Sequence, residues 1–474
     1  MTLDPATPRA AAVAVRDGRV LAVGSRADVR RAAGSAAGHI DCTGATVLPG
    51  LVDPHLHLMA LAGRAAHLDC GRFRSVGDLL AAVRRRALGT ARGDWVRGEG
   101  LDEVALGRLP SAAELDAASP HAPVRLRHRS RHASVLSGCA LARLGRRPGV
   151  ERCAGQTTGL VYGEERAIGR TVGPLPPAVV ATGLASAGAE LTALGLTTVA
   201  DATPRSWQAL APLREAVDSG GMPLRVFAMR PAGGRPWPRA TRLRPGPVKV
   251  MVEDGPDGLR PTAAGLVRRV ALAAQGGAVA VHCVSAATLV AALDAFAALP
   301  RRNRTAAPHR LEHVAECPPP LLRRIAALRL TVVTNPAFVR VRGDVYRGET
   351  HPGAWGWLYR ARSLAAAGVP LAAGSDAPIG PVNPWIGLAV AQSRRTASGA
   401  VLGPGERLGV DAALDLFTRG AAAALGAWDL GRLRYGGPAD LVVVEPDPLR
   451  APADEVAATR VRLTMIGGAV VWHA

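Results

Sequence analysis

Lysine is all but missing from this chain. Of its 58 basic residues one, Lys249, is lysine and 57 are arginine. A guanidinium stays protonated, whereas a lysine amine can shed its proton and react. A position that keeps lysine against this bias is therefore a candidate for amine chemistry. Aromatic residues are scarce too, 4% of 474 positions, too few for the base-stacking platforms of a single-strand nucleic-acid binder. The six cysteines are scattered and form no Cys-x-x-Cys. That pattern fits reduced thiols in a cytoplasm better than a disulfide framework. No stretch is apolar enough to span a bilayer. The first residues, Met1-Thr2-Leu3-Asp4-Pro5, lack the basic start and apolar core of a secretory signal. Acidic residues are in deficit, giving a net charge of +20 and a pI near 11.2. Such a charge suits polyanion binding, but it is spread along the chain with no basic tail. It leaves room for a favourable field around an anionic substrate.

What the chain has in quantity is apolar patterning. Hydrophobic residues are 48% and charged ones 20%, an ordinary globular mix. The length allows a large core and roughly two domains. Valines alternate around Asp17-Gly18, a hairpin signal. The same style returns near the end in Leu441-Val442-Val443-Val444 and Ala469-Val470-Val471-Trp472. The two ends predict one small β-sandwich domain, residues 1–48 with 430–474. Between them, 49–429, short apolar strands alternate with Ala/Leu-rich helical stretches at 75–89, 181–194, 262–275, 285–298, 319–327 and 411–425. Strands are expected around Val124-Arg125-Leu126, Thr197–Ala200, Leu224–Ala228, Val248–Val252, Ala278–Val281, Leu311–His313, Thr331–Val333 and Pro370–Ala373. Repeated βα units at this length predict an α/β fold, a (β/α)8 TIM-type barrel, with a doubly wound sheet as the alternative.

The chain is organised around Pro49-Gly50-Leu51-Val52-Asp53-Pro54-His55-Leu56-His57. At a strand end, residues two apart point to the same side. His55 and His57 can thus offer two imidazoles to one point, half of a divalent-metal site. Other strand ends supply partners. Lys249 lies within an apolar run, His282 ends Ala278-Val279-Ala280-Val281, His313 closes His309-Arg310-Leu311-Glu312, and Asp376 follows Ala372-Ala373-Gly374-Ser375. Chemistry in a barrel sits past the C-terminal ends of its strands. Five strand ends carrying ligand-capable residues predict a metal site there.

These segments resemble the metal-dependent amidohydrolase superfamily over nearly the whole chain. The resemblance rests on Pro-Gly-Leu-Val-Asp-Pro-His-Leu-His, on Gly374-Ser375-Asp376-Ala377-Pro378, and on the closing Gly436-Gly437-Pro438-Ala439-Asp440-Leu441. Leu194-Gly195-Leu196-Thr197-Thr198-Val199-Ala200-Asp201, Val248-Lys249-Val250-Met251-Val252-Glu253-Asp254-Gly255 and Asn383-Pro384-Trp385 resemble its YtcJ-like branch, which includes N-substituted formamide deformylase. The resemblance implies a barrel with a sandwich made by the two ends. It implies His55, His57, His282, His313 and Asp376 as metal-site residues, and Lys249, carbamylated, as a bridge between two metals. Three segments depart from relatives: His282-Cys283-Val284-Ser285-Ala286, Ser130-Arg131-His132, and the displaced Glu164.

The chemistry expected is hydrolysis of a C–N bond in an amide, formamide or cyclic amide by a metal-activated hydroxide, the metal being zinc or a similar divalent ion, one or two per chain. Asp376 would serve as base and then acid. His132, Asn335 and Trp385, with Glu164, Trp355 and Trp357, fall on expected loops and are candidate substrate contacts. An aminohydrolase is the alternative, but such enzymes place a glutamate three residues after the strand-five histidine, where this chain has Ser285. A dead barrel acting as a binding protein is a third class, and it predicts lost ligands. The expected partner is a small amide-type molecule, with no nucleic acid, no membrane, and room for a homo-oligomer.

Overall fold

Eight parallel strands form the central sheet of the computed structural model, which describes residues 1–130, 132–234, 237, 242–255, 258–300 and 308–474. In barrel order they are Leu51–Leu56, Leu196–Asp201, Arg225–Arg230, Leu243–Val250, Val279–Cys283, Arg310–His313, Thr331–Thr334 and Leu371–Ala373. Each pairs in parallel with the next. Their composition explains this: strands buried on both faces read as apolar runs. Val248, Val250, Val279 and Val281 pack outward against the helices Ala263–Gln275 and Ala286–Ala297. Lys249 alternates with Val248 and Val250 and so lies on the inner face.

The seam between the last strand and the first closes the barrel without direct strand pairing. Above, the Asp376 amide donates to His55 O at 2.8 Å and the His57 amide to Ala377 O at 2.7 Å. A Cβ at Gly374 would come within 2.7 Å of that of His55, so only glycine fits this approach. Below, Val52 N donates to Phe417 O and Ala373 N to Leu416 O. Those two carbonyls are diverted from helix bonding. The helix expected over 411–425 is accordingly broken into Val410–Asp415 and Arg419–Ala424. The second piece packs its alanines against Val52, Val333 and Ala372.

The termini build two small sheets. Ala12–Arg16 and Arg19–Gly24 form the hairpin, turning on Asp17 and Gly18, both at positive φ. Thr46–Pro49 joins a four-stranded sheet with Leu441–Glu445, Arg460–Ile466 and Ala469–His473. One apolar cluster, including Val20, Leu441, Val443 and Met465, holds residues of both sheets. The run Ala45–Leu48, within the 1–48 expected for the terminal domain, leads into this sheet, and the barrel strand begins after Gly50, whose amide donates to Asp440 O. Asp440 itself binds Arg225 Nε at 2.7 Å and the Gly467 amide at 2.7 Å. This is the physical role of the closing Gly-Gly-Pro-Ala-Asp segment.

Two compact units divide the chain, residues 1–61 with 184–474, and residues 62–183. The second is an insertion after barrel strand one. Its six-stranded sheet runs Leu68–Asp69, Val96–Leu101, Val124–His128, Ala133–Leu136, Gln156–Tyr162, Val150–Cys153. The strand expected around Val124 therefore lies outside the barrel. The boundaries expected from sequence, 49–429 for the barrel, do not mark off this unit, because a βα alternation does not say which sheet each strand joins. Among the described residues, no single helix is long and apolar enough to cross a membrane. All six cysteines are free.

Candidate metal centre

The inner face of the first unit gathers the expected ligands at the C-terminal ends of five strands. His55, His57 and Asp376 each offer a donor atom within 4.8 Å of the others. His55 Nε2 lies 3.5 Å and His57 Nε2 3.2 Å from Asp376 Oδ1. The His313 ring centre is 4.7 Å from those of both His55 and His282. Lys249 is buried, and its charge acts on His55, His282 and His313. His313 and Asp376 hold positive φ, 70° and 55°. A positive φ is uncommon for any residue but glycine, so the surrounding structure holds these two donors in a backbone conformation with a local cost.

A second layer fixes which nitrogen of each ring is free. His55 Nδ1 is bonded to Glu312 Oε2. The other Glu312 oxygen binds Arg310 Nε at 2.6 Å, and Arg310 also donates to Pro54 O and Ala424 O. His57 Nδ1 meets Thr203 Oγ1 at 2.7 Å. His313 Nδ1 meets Asn335 Oδ1 at 2.7 Å, while Asn335 Nδ2 donates to Gly374 O. A carbonyl accepts only, so that contact fixes the amide orientation, and Oδ1 must accept from His313. The His55 and His313 rings thus carry Nδ1–H and present Nε2, the arrangement in which metal-binding histidines are held, and the Thr203 hydroxyl, able to accept, accommodates the same tautomer of His57.

The electrostatics agree. Burial alone would raise Asp376, but the imidazoles of His55, His57 and His313 close beside it hold its carboxyl well below the usual range. Burial likewise would raise Glu312, yet Arg310, His55 and Lys249 outweigh it. Burial lowers Lys249 and pushes His282 down to about 2 and His313 to about 4. Burial and Lys249 would lower His55 as well, but Glu312 and Asp376 raise it. The residues fit a divalent cation on a direct observation: His55 Nε2 and Asp376 Oδ1 are buried facing one another, with no geometrically good hydrogen-bond partner. Such orphaned donor atoms are rare unless something charged satisfies them.

Two expected substrate contacts, Asn335 and Trp385, have their polar groups engaged within the first unit. Asn335 is fully buried with both amide ends engaged, so it orients His313. Trp385 is fully buried and its indole N–H donates to Leu194 O, a core role. His132 belongs to the second unit, where its side chain is exposed, and Glu164 precedes the helix Glu165–Val172 of that unit. The neighbouring Arg131 lies outside the described residues. Trp355 and Trp357 are half-buried in the short helical turn Pro352–Trp357. Ser285 caps the helix Ala286–Ala297 and donates to Asp254 at 2.6 Å. Sequence reasoning passed over Glu312, Arg310, Thr203 and Asp201. A signal existed for the first two: Arg310 and Glu312 are charges two apart in an apolar strand, hence on one face and in need of each other.

A barrel with inward histidines and an aspartate at its C-terminal rim defines a metal-dependent hydrolase class. The chain belongs to the amidohydrolase family, whose model matches residues 38–472. Two full-length relatives are consistent with its YtcJ-like branch. The chain is 28% identical to N-substituted formamide deformylase of Arthrobacter pascens, across 98% of this chain and 96% of that one. It is 26% identical to YtcJ of Bacillus subtilis (strain 168), with the same coverage. An uncharacterised metal-dependent hydrolase from Pyrococcus furiosus shares the fold with a TM-score of 0.76 at 26% identity, covering 92% of this chain and 95% of that one.

Proposed function

We propose that this chain hydrolyses the C–N bond of a small amide, formamide or cyclic amide, using zinc or a similar divalent ion. The observation that carries the reading is the buried, unpartnered pair His55 Nε2 and Asp376 Oδ1, with His57 Nε2 beside the same oxygen. His55, His57, His282, His313 and Asp376 would hold the ion, and a carbamylated Lys249 would join them if two ions bind. A bound divalent ion supplies an acidified water and polarises a carbonyl oxygen. Asp376, kept ionised by its histidine neighbours, takes a proton from the attacking water and returns it to the leaving nitrogen. Glu312, Thr203 and Asn335 hold the imidazoles in one tautomer through this cycle. Carbamylation joins the deprotonated Lys249 nitrogen to the carbon of carbon dioxide and releases a proton. The burial that lowers Lys249 favours the free amine this needs. The similarity to an N-substituted formamide deformylase supports a formamide among the candidate substrates. The free cysteines support a reducing compartment, the cytoplasm. The shared terminal cluster supports treating 1–48 with 430–474 as one small domain.

The test is an assay of metal-depleted and zinc-restored protein on N-acyl, N-formyl and cyclic amides. Restored protein is expected to release amine and acid in equal amounts from at least one class, and depleted protein from none. Turnover that survives depletion would remove the metal from the mechanism. Ammonia released from amino-heterocycles, with no amide cleaved, would make the chain a deaminase.

A further inference from the structure

We propose that Asp201, acting through Thr203, is a positioning residue for His57 and sets how firmly the centre holds its metal; the inference rests on the metal reading above. Asp201 ends barrel strand two and is fully buried. Burying a carboxyl without full hydrogen bonding is costly. Its Oδ1 accepts the Thr203 amide at 3.0 Å, and its Oδ2 is buried with no geometrically good partner. The hydroxyl of that same Thr203 stands 2.7 Å from His57 Nδ1.

The direction of donation follows from the other end of the ring. His57 Nε2 faces Asp376 Oδ1. For Nε2 to offer its lone pair to a cation, the ring proton must sit on Nδ1 and be accepted by Thr203 Oγ1. A hydroxyl that accepts still has its own proton to give, and the buried Asp201 Oδ2, on the carboxyl that already holds the Thr203 amide, lacks a donor. The chain of donation we assign runs from His57 Nδ1–H to Thr203 Oγ1, with the hydroxyl proton directed to that carboxyl. His55 leans on a carboxylate directly, through Glu312, and His313 leans on the neutral amide of Asn335. His57 leans on a carboxylate at one remove. The competing explanation is that Asp201 merely caps its loop through the Thr203 amide. Thr203→Val would then still weaken zinc binding by removing the partner of His57, whereas Asp201→Asn, which keeps an acceptor for the amide, would not.

The test measures zinc affinity of the metal-free full chain by competition with a chromogenic chelator. Thr203→Val keeps the shape and the backbone amide but removes the hydroxyl. Thr203→Ser keeps the hydroxyl. Asp201→Asn keeps an acceptor for the amide but presents an NH2 to the hydroxyl. Thr203→Val and Asp201→Asn are expected to bind zinc about 10–100-fold more weakly, with Thr203→Ser within about threefold of wild type. The visible spectrum of the cobalt-loaded chain should shift in the first two and not in the third. The proposal is overturned if Thr203→Val or Asp201→Asn binds zinc like wild type, or if Thr203→Ser is as weak as Thr203→Val. Should Thr203→Val not fold, Asp201→Asn and Thr203→Ser decide by the same criteria. A wild-type chain that takes up no zinc overturns the metal reading itself, and this inference with it.

Discussion

Glu312→Gln should weaken both the fold and the metal centre, through two separate donors. Glu312 and Arg310 are both fully buried, with Arg310 Nε 2.6 Å from Glu312 Oε1. The other oxygen serves His55 Nδ1. Two N–H donors therefore need two acceptors from one side chain. Glutamine has one acceptor oxygen and one donor group, so it can satisfy Arg310 or His55 but not both. It also leaves the Arg310 charge buried against the carbonyls of Pro54 and Ala424 alone. Removing one member of a buried ion pair costs about 3–5 kcal/mol. Losing the partner of a metal-binding histidine costs about 10–100-fold in metal affinity. Urea unfolding of the metal-free chain and zinc competition measure the two effects. Replacing both residues, Arg310→Met with Glu312→Met, separates them: an apolar pair of similar volume should restore most of the stability and none of the zinc affinity. Glu312→Gln with an unchanged urea midpoint and zinc affinity within about threefold of wild type would refute the reasoning.

Asp376→Asn should retain zinc through the histidines and lose about 10²–10⁴-fold in turnover; activity near wild type would move the base elsewhere. Lys249→Arg should be inactive despite keeping the charge, and Lys249→Ala should regain part of its activity with added short carboxylic acids. Full activity in Lys249→Arg would eliminate a carbamylated bridge. The metal-free chain should lose stability as pH falls from 6.5 towards 4. Burial and His55 push His313 down to about 4, so the unfolded chain, with histidines near 6.5, binds that proton first. The stabilisation is complete above the unfolded value and is lost as pH falls through the folded one, about 2 kcal/mol by about pH 5. His282 acts in the same sense, while Asp53, raised to about 6 chiefly by burial, offsets part of it. Urea midpoints at about pH 7.5 and about pH 5 check this; equal midpoints would contradict it.

The barrel was legible because buried parallel strands announce themselves as apolar runs, and the candidate ligands because each stands at the end of such a run. The spacing of His55 and His57 gained its weight from the ligand-capable residues at the other strand ends. Lys249 stood out against a background of arginine. The insertion 62–183 was not legible, since its strands carry the same apolar signal as the barrel's and differ only in which neighbours they pair with. The helix over 411–425 read as continuous because nothing local reveals that Leu416 and Phe417 lend their carbonyls to the barrel seam. Trp385 and Asn335 looked like pocket residues by their loop positions, and burial decided otherwise. Thr203 and Asp201 lie nearly 150 positions from His57 in the chain (the Thr203 contact spans 146). No spacing rule connects residues that meet only through the barrel's closure.

The most direct test of the metal centre is elemental analysis of the chain purified without chelator and then equilibrated with zinc. One to two equivalents per chain are expected, falling sharply when His55 and His57 are both replaced by alanine. Ligand sets of this kind bind zinc tightly, so less than about one-tenth equivalent in the wild type, or equal zinc in the double variant, would contradict the centre assigned to these residues.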